Sequence, residues 1–242
     1  MTISMFDRLI PGFAPKLVPT LISVPGVIFL LCLSGWQLSR HVERTAENEL
    51  RAERLALPPE DIDVVLADPA QDRFRRVKTT GVWAHASEIH VYGRTQRGNE
   101  GFYILTPLLR DGKPALIVNR GWVDKEHHDA STRPQGQVAG PVTVEGVLRD
   151  EPRKGPLMPD NVPEKNQWFW FDLPAMTKAA GLSSALPVYV EQELEPRNPG
   201  GWPLGGQTIV QLPRPHLQYA FTWFALAIAL AAVYLISQRR KP

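Results

Sequence analysis

The sequence predicts an α+β membrane protein, a two-helix transmembrane hairpin with a mainly antiparallel β extramembrane domain that carries one short helix. Two observations lead there. Two stretches of the 242-residue chain hold no Asp, Glu, Lys or Arg: Leu17 to Leu38 and His216 to Ile236, of 22 and 21 residues. Between them the apolar residues shift from a spacing of four to a spacing of two. The mean hydropathy of -0.19 averages over these parts and describes none of them.

At about 1.5 Å per residue either uncharged stretch spans the ~30 Å hydrocarbon layer as a helix. A buried core helix of this length would carry a polar stripe, and neither does. The first stretch is too long for the apolar region of a signal peptide, and no A-x-A-like site follows it. Leu31 stands where a small residue would precede a lipidated cysteine, so Cys32 is a small apolar residue of the span. Pro19 and Pro25 predict a local kink in its first half.

The charge, resolved by segment, predicts the topology. The tail 1–16 carries a net +1 and the tail 237–242 a net +3, which leaves -2 on the loop between the helices. Basic short ends stay inside, so both termini are expected on the cytoplasmic side and the domain 39–215 outside. Trp36, Tyr219 and Trp223 then fall at the outer interface and Tyr234 at the inner one.

The first helix is expected to continue through residues 39–57, where Leu38, Val42, Ala46 and Leu50 fall four apart, until Pro58-Pro59 ends it. Alternation then predicts strands over Phe74–Ala84, Glu88–Gly93, Gly101–Arg110, Pro114–Val123, Val142–Arg149, Gln167–Asp172, Pro187–Glu191 and Thr208–Leu212. Asp111-Gly112 predicts a hairpin turn, and Pro174–Gly181 a short helix stopped by its glycine. Short strands without βαβ alternation predict an antiparallel sheet or open barrel.

The composition excludes several functions. A single cysteine rules out an internal disulfide framework, a CxxC pair and multi-cysteine metal sites. A net charge of +2 gives no electrostatic case for nucleic acid. Nucleophile-elbow, zincin and P-loop motifs are missing, and no acid–base constellation takes their place, so the chain is expected not to be an enzyme. Gly200 to Gly206 has no following lysine or helix start and is expected to be a tight turn, not a phosphate cradle. His127-His128-Asp129 is expected to be a solvated loop, and His85 and His90 surface or satisfied core histidines.

His216 differs by position. It opens the second helix after Pro213 and Pro215, and shares one face with Tyr219, Ala220 and Trp223 at i+3, i+4 and i+7. That face offers an imidazole, a small residue and two flat aromatics. A helix N-terminus keeps the imidazole neutral, as a metal ligand must be. The residues leave two readings open: an axial ligand with stacking walls for a porphyrin, or an interfacial histidine in an aromatic belt.

Taken in order, a further set of residues carries a resemblance. It runs from Gly35-Trp36-Gln37 and Arg40, through Phe74-Arg75-Arg76-Val77, Thr106-Pro107-Leu108 and Val118-Asn119-Arg120-Gly121-Trp122-Val123. It continues with Asn166, Trp168, Asp172, Gly200-Gly201 and Gly205-Gly206-Gln207-Thr208, and ends at His216-Leu217-Gln218-Tyr219-Ala220, Thr222 and Trp223. In this order, between two apolar helices, they resemble the surfeit locus protein one family, assembly factors of haem-copper cytochrome c oxidase. Arg214-Pro215 before the histidine and Asp124 after Val123 depart from the family pattern.

The resemblance implies a two-pass protein of the bacterial inner membrane with a periplasmic domain. It implies haem a as a transiently bound group, with His216 as axial iron ligand and Tyr219, Thr222 and Trp223 around it. Cytochrome c oxidase subunit I and haem a synthase are the implied partners. Arg40 is expected either to meet a propionate or to anchor the helix end, and His41 is a second candidate axial ligand. The alternative is a membrane scaffold that binds no haem and holds subunit I during cofactor insertion, with Ala225, Ala227, Ala229, Ala231 and Ala232 allowing close helix contacts.

Overall fold

The computed structural model describes residues 13–67 and 73–239, so the tails expected at 1–16 and 237–242 fall largely outside the described residues. The chain opens with α1 (Leu17–Ala56), β1 (Glu60–Asp61), α2 (Ile62–Leu66), β2 (Arg76–Trp83), β3 (Ile89–Gln96) and β4 (Asn99–Arg110). It continues with β5 (Lys113–Asp124), β6 (Pro141–Asp150), β7 (Gln167–Trp168), α3 (Leu173–Ala179), β8 (Ala185–Gln192) and α4 (His216–Ser237). Two compact units result. One comprises the described parts of Met1–Leu50 and Gln211–Pro242, the other Arg51–Val210.

The first unit is an antiparallel helix pair. Both α1 and α4 are long and apolar enough to cross a membrane. α1 is 40 residues long and runs through Pro25 as one uninterrupted helix. Polar contacts between the helices set the register at three levels. The hydroxyls of Thr20 and Tyr234 lie 2.7 Å apart, the Ser34 hydroxyl donates to the Ala220 carbonyl at 3.0 Å, and Gln37 meets His216 at 2.9 Å. Further along α1, Asn48 donates to the Leu212 carbonyl and accepts from its N–H, at 3.1 and 2.9 Å. The continuation past Leu38 is helical as expected, but Leu38 and Val42 are exposed, and Asn48 and Arg51 are the buried residues of that stretch.

The second unit is an eight-stranded sheet in the order β1-β2-β6-β8-β5-β4-β3-β7, with β2 also paired to β4. That extra pairing, Val82 with Leu109 and Trp83 with Leu108, closes β2, β6, β8, β5 and β4 into a ring. β4 serves two neighbours besides β5 because it is 12 residues long: β3 takes its first half and β2 pairs with Leu108 and Leu109 near its end. β4 and β5 form the hairpin predicted from Asp111-Gly112. The pairs β1–β2, β3–β7 and β5–β8 are parallel, so the sheet is mixed, with antiparallel pairs in the majority.

Two strand predictions need correction. Gln167–Asp172 shrinks to β7, because Asp172 leaves the ladder to cap α3, accepting the Ala175 N–H at 3.0 Å. Thr208–Leu212 alternates like a strand but joins no sheet. Side chains bond its backbone in place of a neighbouring strand: Arg51 donates to the Ile209 carbonyl at 2.9 Å and Asn48 pairs with Leu212, while the Thr208 hydroxyl donates to the Glu191 carboxylate at 2.7 Å.

Strand alternation feeds two cores. Leu116 and Val118 of β5 and Val188 and Val190 of β8 point into the ring, where Ile62 and Val65 of α2 join them. Ile117 and Tyr189, one position out of phase, face the other side and pack with Trp168, Phe171, Leu173 and Met176. β5 is therefore buried on both faces along Ala115 to Val123, a run that is apolar except for Asn119 and Arg120.

One buried ion pair ties the loop after β5 to the sheet. The Arg133 guanidinium grips both carboxylate oxygens of Glu88, one at 2.9 Å, and Arg133 also donates to the carbonyls of His127 and His128. His90 reaches the same carboxylate at 2.9 Å. Burial pushes the Glu88 carboxyl up, but the hydrogen bonds from His90 and Arg133 and the Arg133 charge outweigh it and hold it at about 2.

Replacing Arg133 with Met strands that carboxylate and should cost about 3–5 kcal/mol in denaturant unfolding of the detergent-solubilised chain. The Glu88 value lies below the 4.5 of an unperturbed Glu, so its stabilisation is complete above pH 4.5 and is lost as pH falls towards about 2. Thermal unfolding across that window should show the loss in the parent chain and a flatter profile in Glu88→Gln.

Candidate functional site

The start of α4 carries the strongest sequence candidate. Pro215 occupies the N-cap and supplies no side-chain cap. His216 follows, partly buried, with Nδ1 2.9 Å from the Gln37 side-chain oxygen. An amide oxygen only accepts, so Nδ1 donates to Gln37 and Nε2 is the ring nitrogen turned away from it. Gln37 is thus a partner to the imidazole that the histidine's own surroundings in sequence do not reveal.

The residues expected beside His216 divide between faces. Trp223 is partly buried and Tyr219 half exposed, and both remain on the His216 side of the helix. Ala220 is buried, and the element that approaches it is α1, whose Ser34 donates to its carbonyl. Thr222 stands apart: six residues on from His216 it is rotated about 120° away, and its hydroxyl donates to the Gln218 carbonyl at 2.9 Å. It lines up instead with Ala225, Ala229 and Ala232, all exposed, on the face opposite His216.

On α1, Arg40 pairs with Glu43 at 2.8 Å and lies 5.9 Å from the Trp36 ring. His41 is one turn beyond Gln37 on the same face, and its Nδ1 is buried without a hydrogen-bond partner among the described residues.

In the second unit the histidines have structural partners. His85 Nε2 lies 2.9 Å from the Val138 carbonyl. In the loop His127-His128-Asp129, expected to be solvated, Asp129 is exposed but the two histidines are partly buried and built into the fold. His127 bonds Asp124 at 2.7 Å, and the His128 ring packs at 4.4 Å from that of His90. Burial and the neighbouring His90 charge push the His128 imidazole down. Hydrogen bonds from His127 hold the Asp124 carboxyl below its usual range against the upward push of burial. Among the described residues no three His, Cys, Asp or Glu side chains gather as a metal site.

Most other residues of the resemblance hold up the barrel. Phe74 lies under the guanidinium groups of Arg51, Arg73 and Arg149, at 4.3, 4.9 and 5.1 Å. Arg76 makes a bidentate pair with Glu193 at 2.6 and 2.7 Å. Arg120, 1% exposed, stacks at 4.8 Å on Trp83 and donates to the Gly136 carbonyl and Asn198. Burial brings its guanidinium down to about 10. Asn166, left-handed at φ 52°, donates to the Glu88 carbonyl and accepts from the Trp168 indole.

Comparison with known proteins matches this arrangement over nearly its full extent. The model of the SURF1 family matches residues 25–228, from inside α1 to inside α4. A SURF1-like protein of Monosiga brevicollis is 34% identical over 236 residues, covering 91% of this chain and 87% of that protein. Surfeit locus protein 1 of Rattus norvegicus is 31% identical over 234 residues, covering 88% of this chain and 73% of its own length. The Takifugu rubripes protein of the same name is 30% identical, with 88% and 93% covered. With the whole barrel and most of both helices inside the match, the chain belongs to the SURF1 family.

Proposed function

We propose that the chain is an assembly factor for haem-copper cytochrome c oxidase that holds haem a as cargo on His216 and passes it to subunit I. Family membership supports the oxidase-assembly role in general. The observation that carries the haem reading is the contact between His216 and Gln37. It occupies Nδ1 and leaves Nε2 as the nitrogen available to iron, and a partner on the far nitrogen orients the ring and raises its basicity. Tyr219 and Trp223 supply flat apolar surface beside it. His41, one turn along α1, is the second candidate ligand. Bound haem would bring an iron that accepts the imidazole lone pair, while the chain's own residues orient that imidazole and cover the ring. A single histidine in a half-open setting suits a carrier that must release. The reading needs no enzymatic step, and it makes haem a synthase the supplier and subunit I the recipient.

The proposed setting is the bacterial inner membrane, crossed by α1 and α4, with both basic ends in the cytoplasm and the barrel in the periplasm. Two helices of sufficient length and apolarity and the charge asymmetry support it.

A scaffold that binds no haem is the second reading. The exposed stripe of Thr222, Ala225, Ala229 and Ala232 favours it, since small residues let a client helix approach closely. In that case the His216–Gln37 contact only pairs the two helices.

Protein purified from a host that makes haem a should carry its absorption spectrum, and His216→Ala should lose it. Unchanged haem content in His216→Ala would favour the scaffold. Gln37→Leu should keep the ligand but weaken haem retention about tenfold, measured by transfer to apomyoglobin. A reporter fused after residue 242 should be active only on the cytoplasmic side, and activity outside would overturn the hairpin topology.

A further inference from the structure

Two motifs without a role in haem binding meet at one end of the barrel. The segment Gly200 to Gly206 docks on the end of β5, where Trp122 and Leu204 exchange both backbone hydrogen bonds, at 2.9 and 2.8 Å. Gly121 permits this approach: its φ is 128°, and a Cβ there would sit 2.0 Å from the Leu204 carbonyl oxygen. Trp202 is thereby held 6.0 Å from Trp122 and stacked on His127 at 4.4 Å and 22°. His127 is fixed in turn by Asp124, through its ring at 2.7 Å and its backbone N–H at 2.8 Å. Gly101 leaves room for the Trp122 indole across β4, since a Cβ there would be 2.6 Å from the ring.

Beside them opens a cleft of about 530 Å³, lined by Trp122 and Trp202 and by Glu100, Asp124, Lys125 and Glu126. Its chemistry is one-sided. Three carboxylates face one lysine, and Lys125 is already paired with Glu100 at 2.7 Å. Glu126 is exposed; its backbone bonds Asp124, and among the described residues its carboxylate has no hydrogen bond or ion pair. The partly exposed Trp202 indole, with Trp122 beside it and a free carboxylate on the rim, attracts a flat cation. A guanidinium stacks on the ring and bonds the carboxylate in one pose, whereas an ammonium is compact and strongly hydrated. A free amino acid would also bring its own carboxylate to this acidic rim, and a side chain within a polypeptide brings none.

We propose that this cleft docks an arginine side chain presented by a partner polypeptide. The proposal rests on the charge complementarity of the cleft and is independent of the haem reading.

The probe is N-acetyl-arginine amide, titrated into the full detergent-solubilised chain while tryptophan fluorescence is recorded. The citrulline amide, of the same shape without charge, and free arginine are the controls. The arginine amide should saturate, with the citrulline amide at least about fivefold weaker and free arginine weaker than the amide. Glu126→Gln should weaken the arginine amide about threefold, and Trp202→Leu should abolish the response. Trp202→Leu could fail by unseating the glycine segment, so the exposed Glu126→Gln decides. Equal binding of the arginine and citrulline amides, or unchanged affinity in Glu126→Gln, overturns the proposal. Free arginine binding as tightly as the amide would make the free amino acid the occupant and equally defeat it. His216→Ala should leave the titration unchanged, which keeps its outcome separate from that of the haem test.

Discussion

β5 must bury both of its faces, and most of the second unit follows from that requirement. The strand lies between β4 and β8, so its backbone groups are paired along both edges. Leu116 and Val118 fill the ring while Ile117 feeds the opposite core, and each core needs its own cover. α2 supplies one with Ile62 and Val65, and α3 supplies the other with Leu173 and Met176. At its far end the same strand changes character. Arg120 faces Trp83 inside the barrel, Gly121 admits the glycine segment, and Trp122 is locked to Leu204. The strand that organises the core thus also positions the loops at one end of the barrel.

The helix pair obeys a different logic. Neither α1 nor α4 has an apolar stripe set against a polar one, so hydrophobic burial alone cannot choose the face on which they meet. A few polar contacts can, because a hydroxyl or amide among apolar side chains gains most by finding a partner. Thr20, Ser34 and Gln37 do so at successive levels of α1. His216 is therefore part of the helix register as well as the candidate ligand, and its ring orientation is inherited from the pairing.

The sequence made the secondary structure of strongly patterned regions legible: both long helices, the Asp111-Gly112 hairpin and the central strands lie where periodicity predicts them. It failed where the pattern was present but its partner was not local. Thr208–Leu212 alternates like a strand, yet its bonding partners are Asn48, Arg51 and Glu191, up to 164 residues away. Arg133 carries no signal in sequence, because its partner Glu88 is 45 residues earlier and belongs to no motif. At the candidate site, His216 was legible from its place at a helix start. Gln37 stood in the family motif without a role, and Thr222 was grouped with residues from which helical rotation separates it.

The sequence by itself determined the division into two uncharged helical stretches and a β-rich insert, because hydrophobic length and spacing are local properties that few residues suffice to state. It also determined the family, through an ordered series of short motifs. Only the tertiary structure decided that the sheet closes through β2 and β4, since closure depends on strands whose pairing has no sequence signature. It alone decided which face of α4 meets α1, because a uniformly apolar helix presents no preferred side until a polar partner arrives. And it alone brought Trp122, His127 and Trp202 together, since one backbone exchange across 82 residues places them.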